Sequence, residues 1–172
     1  MVAGAFKGRR LQAPAGGRTR PTADKVREAL FSILGDVEGL SVLDLYAGSG
    51  ALGIEALSRG AGSAVFVDSS ARAVDAVRRN LSELGADGEV RRADALRWLG
   101  RAQGTYDLVF VDPPYDSAPL LAEPLAEQLP AVLSPLARIA TESDKRVPLS
   151  LALPLVTERT YGDTRIAIHR GR

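Results

Sequence analysis

Apolar positions between residues 22 and 34 recur at helical spacing. Val26, Ala29, Leu30, Ile33 and Leu34 follow an i, i+3, i+4, i+7, i+8 stripe, which predicts an amphipathic helix. Thr22, after Pro21, is placed to cap it, Asp24 falls in its first turn and Gly35 can end it. Downstream, short apolar runs alternate with helical stripes. Strands are predicted at residues 42–46, 64–67, 89–92 and 108–111, the second running into Asp68. Helices are predicted at 51–58 and 71–84, the latter with Ala73, Val74, Val77, Leu81 and Leu84 on one face. Residues 118–133 read as a helix broken by prolines, 138–141 as a fifth strand, and 157–161 with 165–169 as a terminal hairpin around Gly162-Asp163. This β-α-β-α order predicts an α/β fold. Its sheet is open, seven-stranded and mostly parallel, with helices on both faces and an antiparallel C-terminal hairpin. Phe6 and Leu11 flank a turn candidate at Lys7-Gly8-Arg9-Arg10. Residues 1–21 are therefore expected to form a small basic hairpin or arm ahead of a main domain at 22–172.

Composition narrows the chemistry. A chain of 172 residues, 45% hydrophobic and 25% charged, fits one globular domain. Cysteine is absent, which excludes disulfides, thiolate zinc sites and cysteine nucleophiles, and fits a reducing compartment. His169 is the single histidine, so a His-Cys metal site is impossible and the residue reads as structural. No metal is expected. No apolar run approaches the roughly 18 residues of a membrane span. The basic N-terminus lacks an apolar h-region, so it does not read as a secretory signal, and a cytoplasmic location is expected. Charge is unevenly placed. Residues 1–27 hold Lys7, Arg9, Arg10, Arg18, Arg20, Lys25 and Arg27 against Asp24 alone, a net +6, which leaves −5 for the rest of a +1 chain. A basic arm on an acidic body is the footprint of a polyanion site, or else a solvated tail.

Two segments can carry chemistry. Leu108-Val109-Phe110-Val111 runs into Asp112-Pro113-Pro114-Tyr115. Two prolines stop the strand and remove two backbone donors. They hold a carboxylate and an aromatic ring on a stiff turn, which suits a planar heterocycle bearing an amino group. The plainer alternative is a strand-ending turn with a surface tyrosine. The other segment is Asp44-Leu45-Tyr46-Ala47-Gly48-Ser49-Gly50-Ala51-Leu52-Gly53, where glycines let a ligand lie against backbone at a helix start. The Gly48-x-Gly50-x-x-Gly53 spacing alone does not separate one nucleoside cofactor from another. Asp44 discriminates, because a carboxylate there repels a pyrophosphate but suits an ammonium group and a sulfonium. Asp68 and Asp94, at the next two strand ends, are candidate acceptors for ribose hydroxyls and an adenine amine, or alternatively helix caps.

These segments resemble the class I S-adenosylmethionine-dependent methyltransferases. More closely, the chain is similar to the bacterial 16S ribosomal RNA guanine-N2 methyltransferase family. The resemblance includes Arg20-Pro21-Thr22-x-x-Lys25-Val26-Arg27-Glu28-Ala29-Leu30-Phe31, the run from Leu43 through the glycine turn to Ala61, and Val111-Asp112-Pro113-Pro114-Tyr115. It covers residues 3–116, with a further match at Tyr161-Gly162-Asp163-Thr164 and little at 134–156. It implies a Rossmann-like class I methyltransferase fold, S-adenosylmethionine as cofactor, and 16S ribosomal RNA as partner, attractive as an assembled small subunit. By the same resemblance, Asp44, Tyr46, Ala47, Gly48, Ser49 and Gly50 would shape the methionine end of the cofactor. Asp68 with Ser69 would hold ribose, and Asp94 with Ala95 would face adenine. Asp112, Pro113, Pro114 and Tyr115 would hold the target base, and Lys7, Arg9, Arg10, Arg18, Arg20, Thr22 and Arg27 would face RNA, with Thr22 or Arg20 alternatively closing over the cofactor.

Three other readings remain at this stage. A nicotinamide oxidoreductase explains the glycines and Asp68 but neither Asp44 nor the prolyl turn. Methylation of adenine N6 in DNA or of a protein glutamine amide fits the prolyl turn equally well. A silent RNA-binding module leaves the acceptors at every strand end without a purpose.

Overall fold

The structure, a computed structural model, describes residues 1–15 and 23–171. Helix α1 (Ala23–Leu34) precedes strand β1 (Ser41–Leu45), and then α2 (Ala51–Ser58), β2 (Ser63–Asp68), α3 (Ala71–Leu84) and β3 (Glu89–Arg92). After α4 (Ala95–Leu99) come β4 (Tyr106–Val111), α5 (Ala118–Gln128) and the long β5 (Leu133–Asp144). A hairpin of β6 (Leu155–Tyr161) and β7 (Thr164–Arg170) ends the chain, turning at Gly162 with φ 62°. The sheet order is β3-β2-β1-β4-β5-β7-β6. β1 to β5 are parallel, and β7 runs antiparallel between β5 and β6. The mixed α/β sheet expected from the alternation is therefore present. The chain moves outward from β1 to β3 and returns on the other side to β4. The β1/β4 boundary is thus the switch point where open α/β sheets bind ligands.

Apolar layers fill both faces of the sheet. Phe31, Phe66 and Phe110 are fully buried on the α1/α2/α3 face, with the rings of Phe31 and Phe110 5.7 Å apart. Leu43, Leu45, Val109, Leu125, Leu129 and Ile139 fill the α4/α5 face. The α1 stripe is rotated from the expected one. Val26, Arg27, Leu30, Phe31 and Leu34 are buried, while Ala29 and Ile33 are only half-buried. Burying Phe31 against Phe110 removes more apolar surface than seating Ile33, and this sets the rotation of the helix.

Three further differences from the sequence reading have local causes. α4 was not expected, because five residues are too few to show a helical period. Its signal is its cap: Asp94 Oδ1 accepts from the Arg97 N–H at 3.0 Å. β5 extends well beyond residues 138–141 at both ends, held by pairing with β4 and β7. The hairpin expected at the N-terminus is absent from residues 1–15, which contain turns and no strand. Instead Val2 and Ala3 donate N–H groups to the Glu55 carboxylate, each at 2.9 Å. Ala5 donates to the Ser58 carbonyl at 2.7 Å, and Phe6 to the Ser58 hydroxyl at 2.9 Å. A Cβ at Gly4, φ 76°, would fall 1.7 Å from that Ser58 carbonyl oxygen, so the close approach requires glycine. Acceptors presented by α2 thus replace a partner strand. Thr22, the expected cap of α1, lies outside the described residues.

Candidate active site

The strand register sets the geometry of the site. Leu45 is level with Val67 on one side and Val111 on the other. Tyr46, Asp68 and Asp112 therefore leave three neighbouring parallel strands at one height, on the C-terminal edge of the sheet. Tyr46 has φ 60°, the only positive value among the described non-glycine residues. Such strain gathers where surrounding structure holds a loop for function. The chain then folds into the glycine turn. Ala47 donates its N–H to the Val67 carbonyl at 3.2 Å, and Gly50, φ 78°, donates to the Ala47 carbonyl at 2.7 Å. Gly48 donates to Asp68 Oδ2 at 2.9 Å, and Asp68 Oδ1 accepts from Ser70 at 2.8 Å.

Asp44 supports the turn from behind. It is 2% exposed, and its Oδ2 accepts the Gly53 N–H at 2.9 Å. A Cβ at Gly53 would come within 2.4 Å of the Phe66 ring and 3.1 Å of Asp44 Oδ2, so only glycine lets α2 approach β1 and β2 this closely. Burial pushes the Asp44 carboxyl up to about 7; the Gly53 N–H opposes this and Asp68 reinforces it. Tyr46 is pushed up to about 12, by burial and then by the charge of Asp94. Between pH 4 and 7 the folded chain consequently holds a proton on Asp44 that the unfolded chain lacks, so this carboxyl's contribution to stability falls as pH rises through 7. Asp44→Asn is expected to flatten the decline in unfolding free energy between pH 5 and 8.5, by up to about 3 kcal/mol, the share of the shift that falls between pH 5 and 7. Urea titrations of both proteins across that range check it, and parallel curves would refute it.

The other expected residues fall into groups. Asp94 is exposed and caps α4, and Ala95 is the buried first residue of that helix. Ser69 is exposed, and its carbonyl accepts from Arg92 Nε at 3.5 Å. Asp112 is half-buried, Pro113 buried and Pro114 exposed. The Pro114 carbonyl accepts from the Ser117 N–H at 3.0 Å and hydroxyl at 2.7 Å, closing a 3-10 turn at Tyr115–Ser117 that leads into α5. Lys7, Arg9 and Arg10 are exposed, with Arg9 donating to the Glu83 carbonyl at 2.9 Å. Arg18, Arg20 and Thr22 lie outside the described residues. Arg27 requires correction. It is 7% exposed and pairs with Asp24 at 2.6 Å and with buried Glu55 at 3.5 Å. It faces the core because α1 is rotated to seat Phe31, so it is not a surface cation.

Two polar residues of the site region were missed. Glu55 is fully buried on α2 and Asn80 is 1% exposed on α3. Asn80 was legible as a polar residue interrupting the apolar face between Val77 and Leu81. Glu55 had only its i, i+4 spacing to Arg59, which reads as an ordinary surface pair. A surface groove of about 560 Å³ between α5 and residues 150–152 contains none of the site residues. Among the described residues, no helix is long and apolar enough to cross a membrane, and no His/Cys/Asp/Glu group could hold a metal ion.

Comparison with known proteins agrees with this architecture. Residues 1–170 match the family described as Conserved hypothetical protein 95. Bacillus subtilis YlbH is 40% identical over 181 residues, covering 100% of this chain and 98% of its own length. The ribosomal RNA small subunit methyltransferase D of Haemophilus influenzae is 34% identical, covering 94% of this chain and 88% of that protein. The solved structure of yhhF from Escherichia coli superposes with a TM-score of 0.85 at 31% identity, covering 100% of this chain and 97% of that one. With its glycine turn and prolyl corner at the switch point of a Rossmann-like sheet, the chain belongs to the Conserved hypothetical protein 95 family, the RsmD family of class I methyltransferases.

Proposed function

We propose that this chain transfers a methyl group from S-adenosylmethionine to the exocyclic N2 of a guanine in 16S ribosomal RNA. Its substrate is an assembled or partly assembled small ribosomal subunit in the cytoplasm. One observation carries the reading: Tyr46, Asp68 and Asp112 leave neighbouring strands at the same height, so an amine-accepting corner adjoins the glycine turn. Two of the side chains that hold this turn, Asp44 and Asp68, are carboxylic acids. As acceptors, and as charges above pH 7, they fit a polyhydroxylated cation and disfavour a pyrophosphate. Asp68 with Ser69 takes the ribose, Asp94 with Ala95 faces adenine, and Tyr46 to Gly50 follow the methionine end, with Asp44 bracing them.

S-adenosylmethionine supplies a methyl group on a sulfonium already open to displacement, leaving S-adenosylhomocysteine and a proton. The protein's task is therefore orientation, which can contribute on the order of 7–11 kcal/mol. Asp112 accepts from the guanine amine, turning its lone pair out of conjugation with the ring, and the Pro113 carbonyl assists. Tyr115 stacks on a base that has left its helix, which costs a few kcal/mol and recovers about 1–3. Incubating the protein with labelled cofactor and separate fractions of small subunits, naked RNA, DNA and protein tests the assignment. Label on guanine N2 of 16S RNA supports it, and label confined to adenine or glutamine overturns it.

Lys7, Arg9 and Arg10 supply phosphate contacts in this reading. Because residues 1–15 also satisfy Glu55, charge removal is a cleaner probe than deletion. Replacing all three with Gln is expected to weaken subunit binding and to reduce the slope of log K against log salt by about 2–3. An unchanged slope would return these cations to the role of a solvated surface.

A further inference from the structure

We infer that Asn80 is a positioning residue that ties occupancy of the cofactor turn to the seating of the N-terminal segment. This rests on the cofactor reading given above. Asn80 Oδ1 accepts the Gln12 N–H at 2.8 Å, and its Nδ2 donates to the Gln12 carbonyl at 3.0 Å, so the carboxamide engages residue 12 as a neighbouring strand would. Nδ2 also donates to the Ser49 carbonyl at 2.9 Å. Both donors of the carboxamide and one acceptor site are thereby engaged, at a position 1% exposed. Neither aspartate nor leucine can reproduce this set.

The Ser49 bond falls where the backbone has the most freedom to lose. Ser49 lies between Gly48 and Gly50, both at positive φ, and the next N–H, that of Gly50, bonds the Ala47 carbonyl. The peptide joining Ser49 to Gly50 is thus held at both ends. Without Asn80 its carbonyl end is released between two glycines, whose low barriers permit rotation. The other end of the link is equally specific. Arg9 and Gln12 both anchor on Glu83, one helical turn beyond Asn80. The segment carrying Lys7, Arg9 and Arg10 therefore reaches the cofactor turn directly through the buried Asn80 side chain. Coupling through such a link is reciprocal: stabilising the turn protects the segment, and displacing the segment weakens the turn.

Calorimetry with S-adenosylhomocysteine and hydrogen exchange at the Gln12 amide test the link. Asn80→Asp is expected to weaken S-adenosylhomocysteine binding about 10-fold or more. Gln12→Pro, which alters nothing in the turn itself, is expected to weaken it about 3-fold or more. In the unaltered protein, saturation with S-adenosylhomocysteine should slow exchange of the Gln12 amide about 3-fold or more, a readout that decides the matter if either variant fails to fold. A role confined to packing α3 predicts lower thermal stability with neither ligand effect. An unaltered protein that binds S-adenosylhomocysteine but shows no added protection at Gln12 overturns the coupling alone. Failure of the unaltered protein to bind S-adenosylhomocysteine overturns the cofactor reading on which the coupling rests.

Discussion

Asp112→Ala is expected to lower methyl transfer about 100-fold or more while leaving the affinity for S-adenosylhomocysteine within about 3-fold. The asymmetry follows from position. The glycine turn is held from β1, β2, α2 and α3, through Val67, Asp68, Asp44 and Asn80, and none of these bonds involves Asp112. Asp112 instead begins the prolyl corner one residue past β4. A hydrogen bond between a carboxylate and an amine is worth about 1.5–3 kcal/mol, and 2.7 kcal/mol is about 100-fold in rate. Asp112→Asn keeps one acceptor oxygen and should fall between the alanine variant and the unaltered protein. Single-turnover rates on small subunits, set beside calorimetric affinities, separate the two effects. If affinity and rate fell together, Asp112 would belong to the cofactor turn and the assigned role would be lost.

Glu55→Ala is expected to destabilise the fold by about 3–5 kcal/mol. Glu55 is fully buried and receives the Val2 and Ala3 N–H groups, the Arg59 guanidinium at 2.9 Å and the Arg27 guanidinium at 3.5 Å. Removing it leaves the buried Arg27 cation without its interior counter-charge and two N–H groups without their acceptor. Breaking one side of a buried pair costs about this much. Glu55→Gln can still accept the N–H groups but leaves the charge unbalanced, and should lose less. Urea unfolding measures both, and a loss below about 1 kcal/mol for the alanine variant would show that water replaces the carboxylate. The expected loss also explains why residues 1–15 stay on the body. Their turns have no partner strand and rely on α2, with Met1, Phe6 and Leu11 packed on the core.

The elements legible in the sequence were those whose periods were long or whose ends were chemically marked. α3 matched its expected bounds because five apolar residues share one face and Ser70 and Gly85 mark its ends. The hydroxyl of Ser70 accepts from Ala73, and Gly85 adopts φ 63°. The prolyl corner was legible because two prolines cannot continue a ladder. The short α4 was not, and neither was the full reach of β5, whose ends depend on pairing with strands distant in sequence. Asp94 carried an alternative from the outset, and the bond from Arg97 shows the capping one; that bond uses only one of its two oxygens.

Local sequence by itself determined the alternation of strands and helices, the glycine turn and the stiff corner, because period, capping and ring closure act within a few residues. Only the tertiary structure decided which ends stand side by side. Strand order and register are settled by burying two apolar faces at once, and no local pattern encodes that sum. The same packing turned Arg27 inward, buried Glu55 beneath the N-terminal turns and set Asn80 between Gln12 and Ser49. Each is an ordinary polar residue in sequence, and each acquires its role from neighbours 28 to 68 positions away, through the low-dielectric interior that makes an unpaired polar group costly.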